Sequence, residues 1–305
     1  MGSFFKQIYR YTHPRSYRHN ENLWPYMKID RARSGEITKL EYRGQYVPIA
    51  DLSSLKGKFS GPVMLTATGP SVKEIDFTQP PLPIPAFGVN GAWSLSQFFE
   101  FSFYVIVDMG FFDKKPEIVA NIIAARNLTL FTTAHGIARI VDRFGLENIQ
   151  CTLALIEDAA CRIYQPALKP HELKGFYVVK ESSAEFAPDR ADIGFSTDIR
   201  QGIFDAGTVI YWALQISLYL GFTELFIAGL DMNNFDKPRF YESQSDMQPT
   251  NLKGIFTNLV LPAFQHASLL LKDKKIRVVN LSVNSAIPDY IFEKVSYNDA
   301  FFKKN

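Results

Sequence analysis

Five short groups of residues have the types and positions that binding a nucleotide requires. They are Gly69-Pro70-Ser71, Asn90, Asp108, Gly207-Thr208 and Asp231, and each follows a predicted strand or opens a predicted helix. Ligands of open α/β sheets bind outside the carboxyl ends of the strands, so we expect these groups along one edge of a sheet. Each group alone also fits an ordinary turn or helix cap. Together they predict a site for a nucleotide-type ligand.

The first group lies in the segment 62–76, PVMLTATGPSVKEID, which predicts a buried strand, a glycine turn and the start of a helix. Such a corner presents backbone N–H groups and the positive end of a helix dipole, which suit a phosphate. The segment lacks the three spaced glycines of the dinucleotide fingerprint and the lysine of a P-loop. An ordinary connection between a strand and a helix is therefore the alternative.

Three single residues in the next part of the chain could also do chemistry. Asn90 ends a predicted strand and could hydrogen-bond a nucleotide or stabilise its own turn. Asp108 ends the predicted strand SFYVIVD and could act in the site or cap the following helix. His135, where strand meets helix in LTLFTTAHGIARIV, could be structural or an acid–base group, because histidine titrates near neutrality.

The clearest secondary structure covers residues 202–231. The segment GTVIYWALQISLYLGF has the apolar spacing of a helix that ends at Gly221, and ELFIAGLD predicts a strand closed by Asp231. We expect Asp205 to cap this helix, whose start at Gly207-Thr208 would form a second anion-friendly N-terminus.

The polar loop after Asp231 is longer than connections in compact domains usually are, which predicts a lid over about 233–252. It carries Arg239, Tyr241 and Glu242. Residues 150–200 have no strong period and predict an insertion or an acceptor-facing region.

The composition excludes several classes of protein. The chain has 305 residues, 47% of them hydrophobic, and a formal net charge of +2, with no long basic stretch, so nucleic-acid binding is not expected. Cys151 and Cys161 show neither metal-ligand nor disulfide spacing. The nearest approach to a metal-binding Asp-x-Asp motif is Asp231-Met232-Asn233, so we expect a metal-free site. No segment approaches the ~20 apolar residues of a membrane span or resembles a signal peptide, which predicts a cytoplasmic protein.

The first 30 residues interleave aromatic with basic side chains. This pattern suits a peripheral arm on an anionic membrane surface. The alternative is an extension that packs on its own domain or on a second subunit. The segment EITKLEYRGQYVPIA predicts a hairpin around Arg43-Gly44. We therefore expect two parts of the chain, the extension with this hairpin at 1–60 and a nucleotide-binding domain at 61–305.

The chain lacks a GxSxG elbow, an HExxH helix and a kinase signature. Instead, TATGPSVKEID, VNG at 89–91 and DAGTVIYWALQISLYLGFTELFIAGLD together resemble bacterial CMP-sugar-dependent transferases of the sialyltransferase superfamily. The segments GFSTDIRQG, AGLDMNNFDKPRFYES and VVNLSVNSAIPDYI are similar to lipopolysaccharide core Kdo transferases of the WaaZ (RfaZ) type. The resemblance covers about residues 60–295.

The resemblance implies an α/β, Rossmann-like fold with a mostly parallel sheet and helices on both faces, a sialyltransferase-like GT-A variant. It implies transfer of Kdo (3-deoxy-D-manno-oct-2-ulosonic acid) from CMP-Kdo to a Kdo residue or another sugar of the lipid A–core oligosaccharide. Neither cofactor nor metal is expected, and the enzyme would lie at the inner face of the cytoplasmic membrane. The sequence leaves open whether the protein is a monomer or a homo-oligomer.

The same resemblance implies roles for individual residues. Those around the CMP phosphate and ribose would be Thr68, Gly69, Pro70 and Ser71. Those lining the nucleotide pocket would be Asn90, Gly91 and Asp108. Those facing the phosphate or the donor sugar would be Ala206, Gly207 and Thr208. Asp231 would lie beside the cytidine with Met232 next to it in the donor site, while Arg239 and Tyr241 would stabilise the leaving phosphate or the sugar carboxylate from the lid.

The sialyltransferases place a histidine, the general base, in the lid. The lid of this sequence contains no histidine, so the identity of its base is open. The candidates are Asp108, His135 and Glu242, with Asp108 first because the Kdo-transferase segment also carries an acid there. The alternative functions are a sialyltransferase using CMP-sialic acid, a pterin diphosphokinase-like protein that would need ATP and magnesium, and a non-catalytic nucleotide-binding or scaffold protein.

Overall fold

The computed structural model describes residues 2–79, 83–180 and 182–302. Met1, the first residue of the predicted arm, lies outside them. The strands are β1 (Met27–Arg31), β2 (Ile37–Tyr42), β3 (Gln45–Tyr46), β4 (Pro62–Thr66), β5 (Ala86–Val89), β6 (Phe101–Ile106), β7 (Thr129–Thr132), β8 (Thr152–Leu155), β9 (Ala184–Phe186), β10 (Gly194–Ser196), β11 (Glu224–Ala228), β12 (Arg277–Asn280) and β13 (Glu293–Lys294).

The α-helices are α1 (Gly2–Thr12), α2 (Met109–Lys114), α3 (Pro116–Ile123), α4 (Ala134–Phe144), α5 (Leu173–Val179), α6 (Val209–Leu220), α7 (Leu252–Ile255), α8 (Leu261–Asp273) and α9 (Tyr297–Phe301), and a π-helical turn, Phe256–Val260, joins α7 to α8. Short 3₁₀ helices cover Arg15–Asn20, Leu52–Leu55, Pro70–Glu74, Asn90–Leu95, Leu146–Asn148, Pro170–Glu172 and Ile199–Gln201. The chain divides into two compact units.

Unit 2 comprises residues 56–105 and 206–305. Its sheet contains the parallel strands β13, β12, β11, β4, β5 and β6, in that spatial order. The central strand β4 is buried from Val63 to Thr66, which accounts for its nearly continuous apolar sequence, because strands in parallel sheets are covered on both faces. Helix α6 packs on β4 and β5, and α8 packs on β12. The predicted Rossmann-like α/β fold, with a mostly parallel sheet flanked by helices, is confirmed.

Unit 1 comprises residues 1–55 and 106–205. It contains the predicted hairpin as β2 and β3, joined by β1 into an antiparallel sheet, the parallel pair β7 and β8, and the antiparallel pair β9 and β10. A buried ion-pair cluster links the hairpin region to the segment after β8. There the Glu157 carboxylate accepts hydrogen bonds from Arg31 (2.9 Å from Nη2 to Oε1) and from the Ile163 N–H (2.8 Å), while Arg162 donates to the Gly35 carbonyl (2.6 Å).

The N-terminal arm packs within unit 1. Tyr9 and Leu23 are buried, and Arg10 forms a bidentate ion pair with Glu21 at 2.6 and 2.7 Å. On the outer face of α1, the side chains of Phe4 and Tyr11 are 63% and 91% exposed. Some aromatic residues of the arm therefore pack on the rest of the unit, as the alternative to a membrane arm predicted, while others are exposed to solvent.

The division into units differs from the predicted boundary. The predicted domain boundary near residue 60 lies close to the observed boundary between Leu55 and Lys56. However, residues 106–205 belong to the same unit as 1–55 rather than to the unit that contains the rest of 61–305. Such grouping depends on contacts between residues far apart in sequence, for which the local pattern carries no signal.

Two local expectations are corrected by the structure. The N-cap of α6 is Thr208, and Asp205 lies before the cap rather than in it. The helix after the glycine corner is the five-residue 3₁₀ helix Pro70–Glu74 rather than an α-helix. In both places the composition predicted a helix start correctly, but the residue that begins it depends on backbone geometry.

One helical stretch in the described part of the chain, Leu252–Asp273, is long and apolar enough to cross a membrane. On length and composition, the expectation that no segment reaches that size is therefore wrong. Core helices of globular proteins meet the same criteria, and here Ala263, Phe264, Ala267 and Leu271 are fully buried. The helix thus has the buried stripe of a core element.

We predict that Gly221→Ala destabilises the protein by about 2–3 kcal/mol. Gly221 ends α6 with φ +103°, and a Cβ there would lie 2.4 Å from the Phe59 carbonyl oxygen. The matched control is Gly175→Ala in α5, where a Cβ has nothing within 4 Å, and this change should be neutral or stabilising by up to about 1 kcal/mol. Urea unfolding followed by circular dichroism measures both, and equal midpoints for the two variants would contradict the prediction.

Candidate nucleotide site

The carboxylate of Asp231 is bonded to the glycine corner within unit 2. It accepts hydrogen bonds from the Ser71 N–H (2.8 Å) and from the Ser71 hydroxyl. A Cβ on Gly69 would lie 2.5 Å from both the Asp231 carboxyl carbon and the Gly229 carbonyl oxygen. Only glycine fits this position, because the ends of β4 and β11 approach each other closely there.

This contact changes what the corner can bind. The Ser71 N–H, which the sequence offered to a phosphate, already donates to a buried carboxylate. A phosphate placed at this N–H would face the negative charge of Asp231, whereas a ribose hydroxyl or a cytosine amino group could donate to that charge. The roles of Thr68, Gly69, Pro70 and Ser71 around the phosphate and ribose, and of Asp231 beside the cytidine, stay predictions.

A second layer of polar residues supports the corner. The Ser282 hydroxyl lies 2.8 Å from that of Ser71 and accepts from the Gly229 N–H (3.1 Å). Asn280 Nδ2 and the Ser285 hydroxyl donate to the Leu230 carbonyl at 3.1 and 2.6 Å. Sequence reasoning recognised this late NLS element only as a mark of resemblance. Asn280 ends the strand β12 and Ser282 follows it, and that position at a strand end was the signal that could have placed them here.

Asn90 follows β5 in a left-handed conformation with φ +45°. Its backbone carbonyl accepts a hydrogen bond from the Tyr104 hydroxyl (2.6 Å). Its side-chain Oδ1 is buried and has no hydrogen-bond partner among the residues that the structure describes. A buried acceptor without a partner costs about 1–3 kcal/mol, so this atom is poised for a donor from a ligand.

The lid segment packs onto these residues. A Cβ on Gly91 would lie 2.2 Å from the ring of Tyr241, so this ring rests directly on the Gly91 backbone. The Phe240 N–H donates to the Thr68 carbonyl (3.3 Å), which anchors the lid at the glycine corner. The structure thereby brings Thr68, Gly91 and Tyr241 into one region, and their contact with CMP stays a prediction.

Arg239 and Glu242 are bonded to each other inside the lid. Arg239 Nη1 lies 2.7 Å from Glu242 Oε1, and the Arg239 N–H donates to Oε2 at 2.9 Å. Arg239 Nη1 also donates to the Gln248 carbonyl (3.3 Å). The Glu242 side chain is completely buried, so its carboxylate orients the guanidinium and is shielded from an acceptor hydroxyl.

The remaining predicted donor-site residues of unit 2 lie at two turns. Gly207, with φ +75°, packs against Ile255, because a Cβ there would lie 2.2 Å from the Ile255 Cδ1. Ala206 is buried, and Thr208 is the N-cap of α6. Met232 follows Asp231 with φ +51°, so the chain turns sharply as it enters the lid. Their contact with a donor stays a prediction.

Asp108 and His135 belong to unit 1. Asp108 is the N-cap of α2, and its exposed carboxylate accepts from the Gly110 N–H at 2.8 Å. His135 Nε2 lies 2.8 Å from the His19 carbonyl oxygen. Burial and the nearby Arg139 lower the pKa of His135, which favours the neutral ring and a structural hydrogen bond from Nε2.

Sequence reasoning missed Asp158 in unit 1. It follows β8, forms a backbone bridge with Ile203, and accepts from the Ala160 N–H at 2.7 Å. Burial raises its pKa to about 6, and the charge of Asp205 contributes in the same direction. A carboxyl group that titrates near neutrality suits acid–base chemistry. The signal was an acidic pair after the apolar run TLALI, in a region without a clear period.

No cluster of three or more potential metal-ligating side chains occurs in residues 2–79, 83–180 and 182–302. The metal-free site stays a prediction.

Comparisons with known proteins add a partial family match. The family model described as 3-deoxy-D-manno-octulosonic acid transferase WaaZ matches residues 183–297. The predicted resemblance to WaaZ-type transferases is thus confirmed over this segment, which contains α6, the lid and the NLS element, and it supports a glycosyltransferase. A search of curated proteins finds no match.

Solved structures similar to this chain include complexes of the sialyltransferase CstII. CstII from Campylobacter jejuni with the substrate analogue CMP-3FNeuAc is 16% identical, with 80% of this chain and 91% of that chain covered and a TM-score of 0.43. CstII from the same organism with cytidine-5′-monophosphate is 14% identical, with 80% and 90% covered and a TM-score of 0.41. A complex of CST-II with a trisaccharide acceptor and CMP is 17% identical, with 80% and 91% covered and a TM-score of 0.38.

We predict that Asp158→Asn changes the pH dependence of stability. Because the folded-state pKa of Asp158 is raised to about 6, its stabilising contribution is present below the unfolded pKa and is lost as the pH rises through about 6. Relative to the parent protein, the variant should therefore gain up to about 3 kcal/mol in free energy of unfolding between pH 4 and pH 7. The control is Asp189→Asn, at an exposed position of the same unit. Urea unfolding at several pH values measures the difference, and parallel profiles for Asp158→Asn and the parent would refute it.

Proposed function

We propose that this protein is a CMP-sugar-dependent glycosyltransferase that moves Kdo from CMP-Kdo onto a Kdo residue or another sugar of the lipopolysaccharide inner core. The WaaZ-type match over residues 183–297 supports this proposal, because that segment contains the lid and the polar residues around Asp231. Neither a metal nor a further cofactor takes part.

The observation that carries the proposal is the buried, unpartnered Oδ1 of Asn90 beside the lid. This acceptor lies at the carboxyl end of β5, next to Gly91, on which Tyr241 rests. Carboxyl ends of parallel strands are where α/β sheets bind nucleotides. The unpartnered amide oxygen of Asn90 can accept a hydrogen bond, as the amino and hydroxyl groups of a cytidine require.

The chemistry needs donors for the leaving group. During transfer, the bond from the anomeric carbon to the CMP phosphate oxygen breaks, and a bond to the acceptor oxygen forms. Negative charge develops on the departing phosphate, and fixed positive donors stabilise it. Arg239 suits this role because Glu242 holds its backbone N–H and Nη1, while Nε and Nη2 have no partner in the described part of the chain.

The acceptor hydroxyl must lose a proton to a general base. Among the predicted bases, Glu242 acts by positioning Arg239, because its carboxylate is buried and bonded to that residue. Asp108 keeps an exposed carboxylate and is the proposed base, while His135 is held by the His19 carbonyl.

Calorimetric titration with CMP tests the nucleotide site. We predict that Asn90→Gly weakens CMP binding about 5- to 30-fold, because one ligand hydrogen bond is lost. Glycine adopts φ +45° without strain and removes a buried unsatisfied atom, so the thermal midpoint should stay equal or rise. Arg239→Ala should also weaken binding, whereas Asn298→Ala, an exposed asparagine of the same unit, should not.

The same titration separates the alternatives. Binding of CMP without magnesium supports the transferase. Binding of magnesium-ATP alone, binding of no nucleotide, or equal CMP affinity of Asn90→Gly and the parent protein would overturn the proposed site. CMP binding without transfer from CMP-Kdo, regenerated by a synthetase, to a Kdo-lipid acceptor would favour a non-catalytic protein.

The acceptor is lipid-linked, so we also propose that the protein works in the cytoplasm, peripherally on the inner face of the membrane. The exposed Phe4 and Tyr11 lie seven residues apart on α1, hence on one face, and the exposed Arg15 and Arg18 follow in the next 3₁₀ helix. Aromatic side chains at interface depth and basic groups above them match an anionic surface.

We predict that replacing both Phe4 and Tyr11 with serine reduces co-sedimentation with anionic liposomes severalfold. The matched control replaces the exposed Tyr46 and Tyr290, which are 60% and 65% exposed, with serine. Equal sedimentation of the two double variants would rule out the α1 surface as the membrane contact.

A further inference from the structure

A cavity of about 430 Å³ lies within unit 1, apart from the residues assigned to the nucleotide. Its walls come from α1, the segment before β1, the hairpin turn and α4, and they include Lys6, Trp24, Tyr26, His135 and Arg139. A volume of this size is within the range of small-molecule sites.

The acidic groups of the cavity wall are already neutralised. Glu21 accepts both hydrogen bonds of Arg10, at 2.6 and 2.7 Å, and this pairing lowers its pKa. Asp142 accepts from Arg43 Nε (2.7 Å) and from the Tyr42 hydroxyl (2.9 Å). These carboxylates therefore present little unbalanced negative charge to a ligand.

The basic groups are less fully engaged. Lys6 is half-buried, and within residues 2–79, 83–180 and 182–302 its ammonium forms no direct ion pair. Arg139 makes one 3.3 Å contact to Asp113, whose side chain is 62% exposed, and a pair of that kind contributes little. Burial lowers the pKa of His135, which favours the neutral ring, so Lys6 and Arg139 give the cavity its positive charge.

The cavity also has an aromatic wall. Trp24 forms a T-shaped pair with Phe5 (6.0 Å between centroids) and contacts Tyr9 (5.7 Å between centroids), which holds the indole in place. Tyr26 is fixed by the guanidinium of Arg43, 5.0 Å from its ring centroid. Rigid aromatic surface next to charged donors is suited to a ligand with both an apolar face and an anionic substituent.

We propose that this cavity binds an anionic saccharide. The pyranose ring contacts the wall formed by Trp24 and Tyr26, and the carboxylate or phosphate on the ring pairs with Lys6 and Arg139. Guanidinium and ammonium groups recognise both anions, and Arg139 can do so bidentately. On the proposed function, on which this choice of sugar rests, ligands of this class are the acidic sugars of the lipopolysaccharide inner core, and α1 supplies Lys6 to the cavity.

Ligand-observed NMR and calorimetry on the full chain, without CMP, test the proposal. The probes are free Kdo, a hexose 6-phosphate, the corresponding neutral hexose and inorganic phosphate. We expect Kdo or the hexose phosphate to bind at least about tenfold more tightly than the neutral sugar and inorganic phosphate. Comparison of the two acidic sugars identifies whether a carboxylate or a phosphate is preferred.

Variants then assign the binding to the cavity. The double variant Lys6→Gln, Arg139→Gln should lose at least about tenfold in affinity for the acidic sugar, because two charge-assisted contacts disappear. The control Lys28→Gln, Arg126→Gln removes two basic groups of unit 1 that do not line the cavity and should bind normally. Trp24→Phe tests the aromatic wall with little change in packing and should weaken binding of the sugar more than that of inorganic phosphate.

Several outcomes would overturn the proposal. These are equal affinity for neutral and acidic sugars, inorganic phosphate binding as tightly as the sugar phosphate, absence of sugar binding, or unchanged binding in the Lys6→Gln, Arg139→Gln variant. Calorimetry with CMP on the same samples separates the two hypotheses. Loss of sugar binding with CMP binding intact rejects only the saccharide cavity, whereas sugar binding without CMP binding rejects only the proposed transferase function.

Discussion

The candidate nucleotide site depends on the bond between the Asp231 carboxylate and Ser71. This contact joins the chain after β11 to the chain after β4, two neighbouring strands of the unit 2 sheet. It requires glycine at position 69 and is supported by the Ser282 hydroxyl. Because Phe240 of the lid is in turn bonded to the Thr68 carbonyl, the lid is anchored to the same corner. One buried carboxylate thus organises the edge of the parallel sheet at which the candidate nucleotide site lies.

Because the Asp231 carboxylate is bonded to Ser71, other polar groups are left for a ligand. Hydrogen-bond acceptors and hydrogen-bond donors lie at different places among them. Asn90 offers an acceptor next to Gly91, and Arg239 offers guanidinium donors from the lid. An acceptor suits the amino and hydroxyl groups of a nucleoside, whereas guanidinium donors suit a phosphate or a sugar carboxylate. The buried Glu242 keeps the guanidinium of Arg239 in one orientation, so this group is already oriented before a ligand binds.

The N-terminal arm shows how one composition can serve several purposes. Its alternation of aromatic and basic residues predicted a membrane surface, yet Tyr9 is core, and Trp24 and Lys6 line a cavity. Among the aromatic side chains that the structure describes in α1, only Phe4 and Tyr11 are strongly exposed. The sequence carries little information about this division, because every one of these side chains is amphipathic or aromatic. Burial is decided by which face of α1 meets the rest of unit 1.

The sequence by itself indicated the main strands, the hairpin and helix α6, and its resemblance to known transferases indicated the fold class. Apolar runs of strand length, the helical period of α6 and the glycine after it are local signals, and each produced the expected element. Only the tertiary structure decided that Ser71 donates to Asp231 rather than to a ligand, that Glu242 holds Arg239, and that residues 1–55 fold with 106–205. These outcomes depend on pairs separated by as many as 160 positions, or on the burial of one side chain, as with the pKa of Asp158. A local pattern indicates that a polar residue stands at a strand end, but its partner and its charge state depend on the residues that folding places beside it.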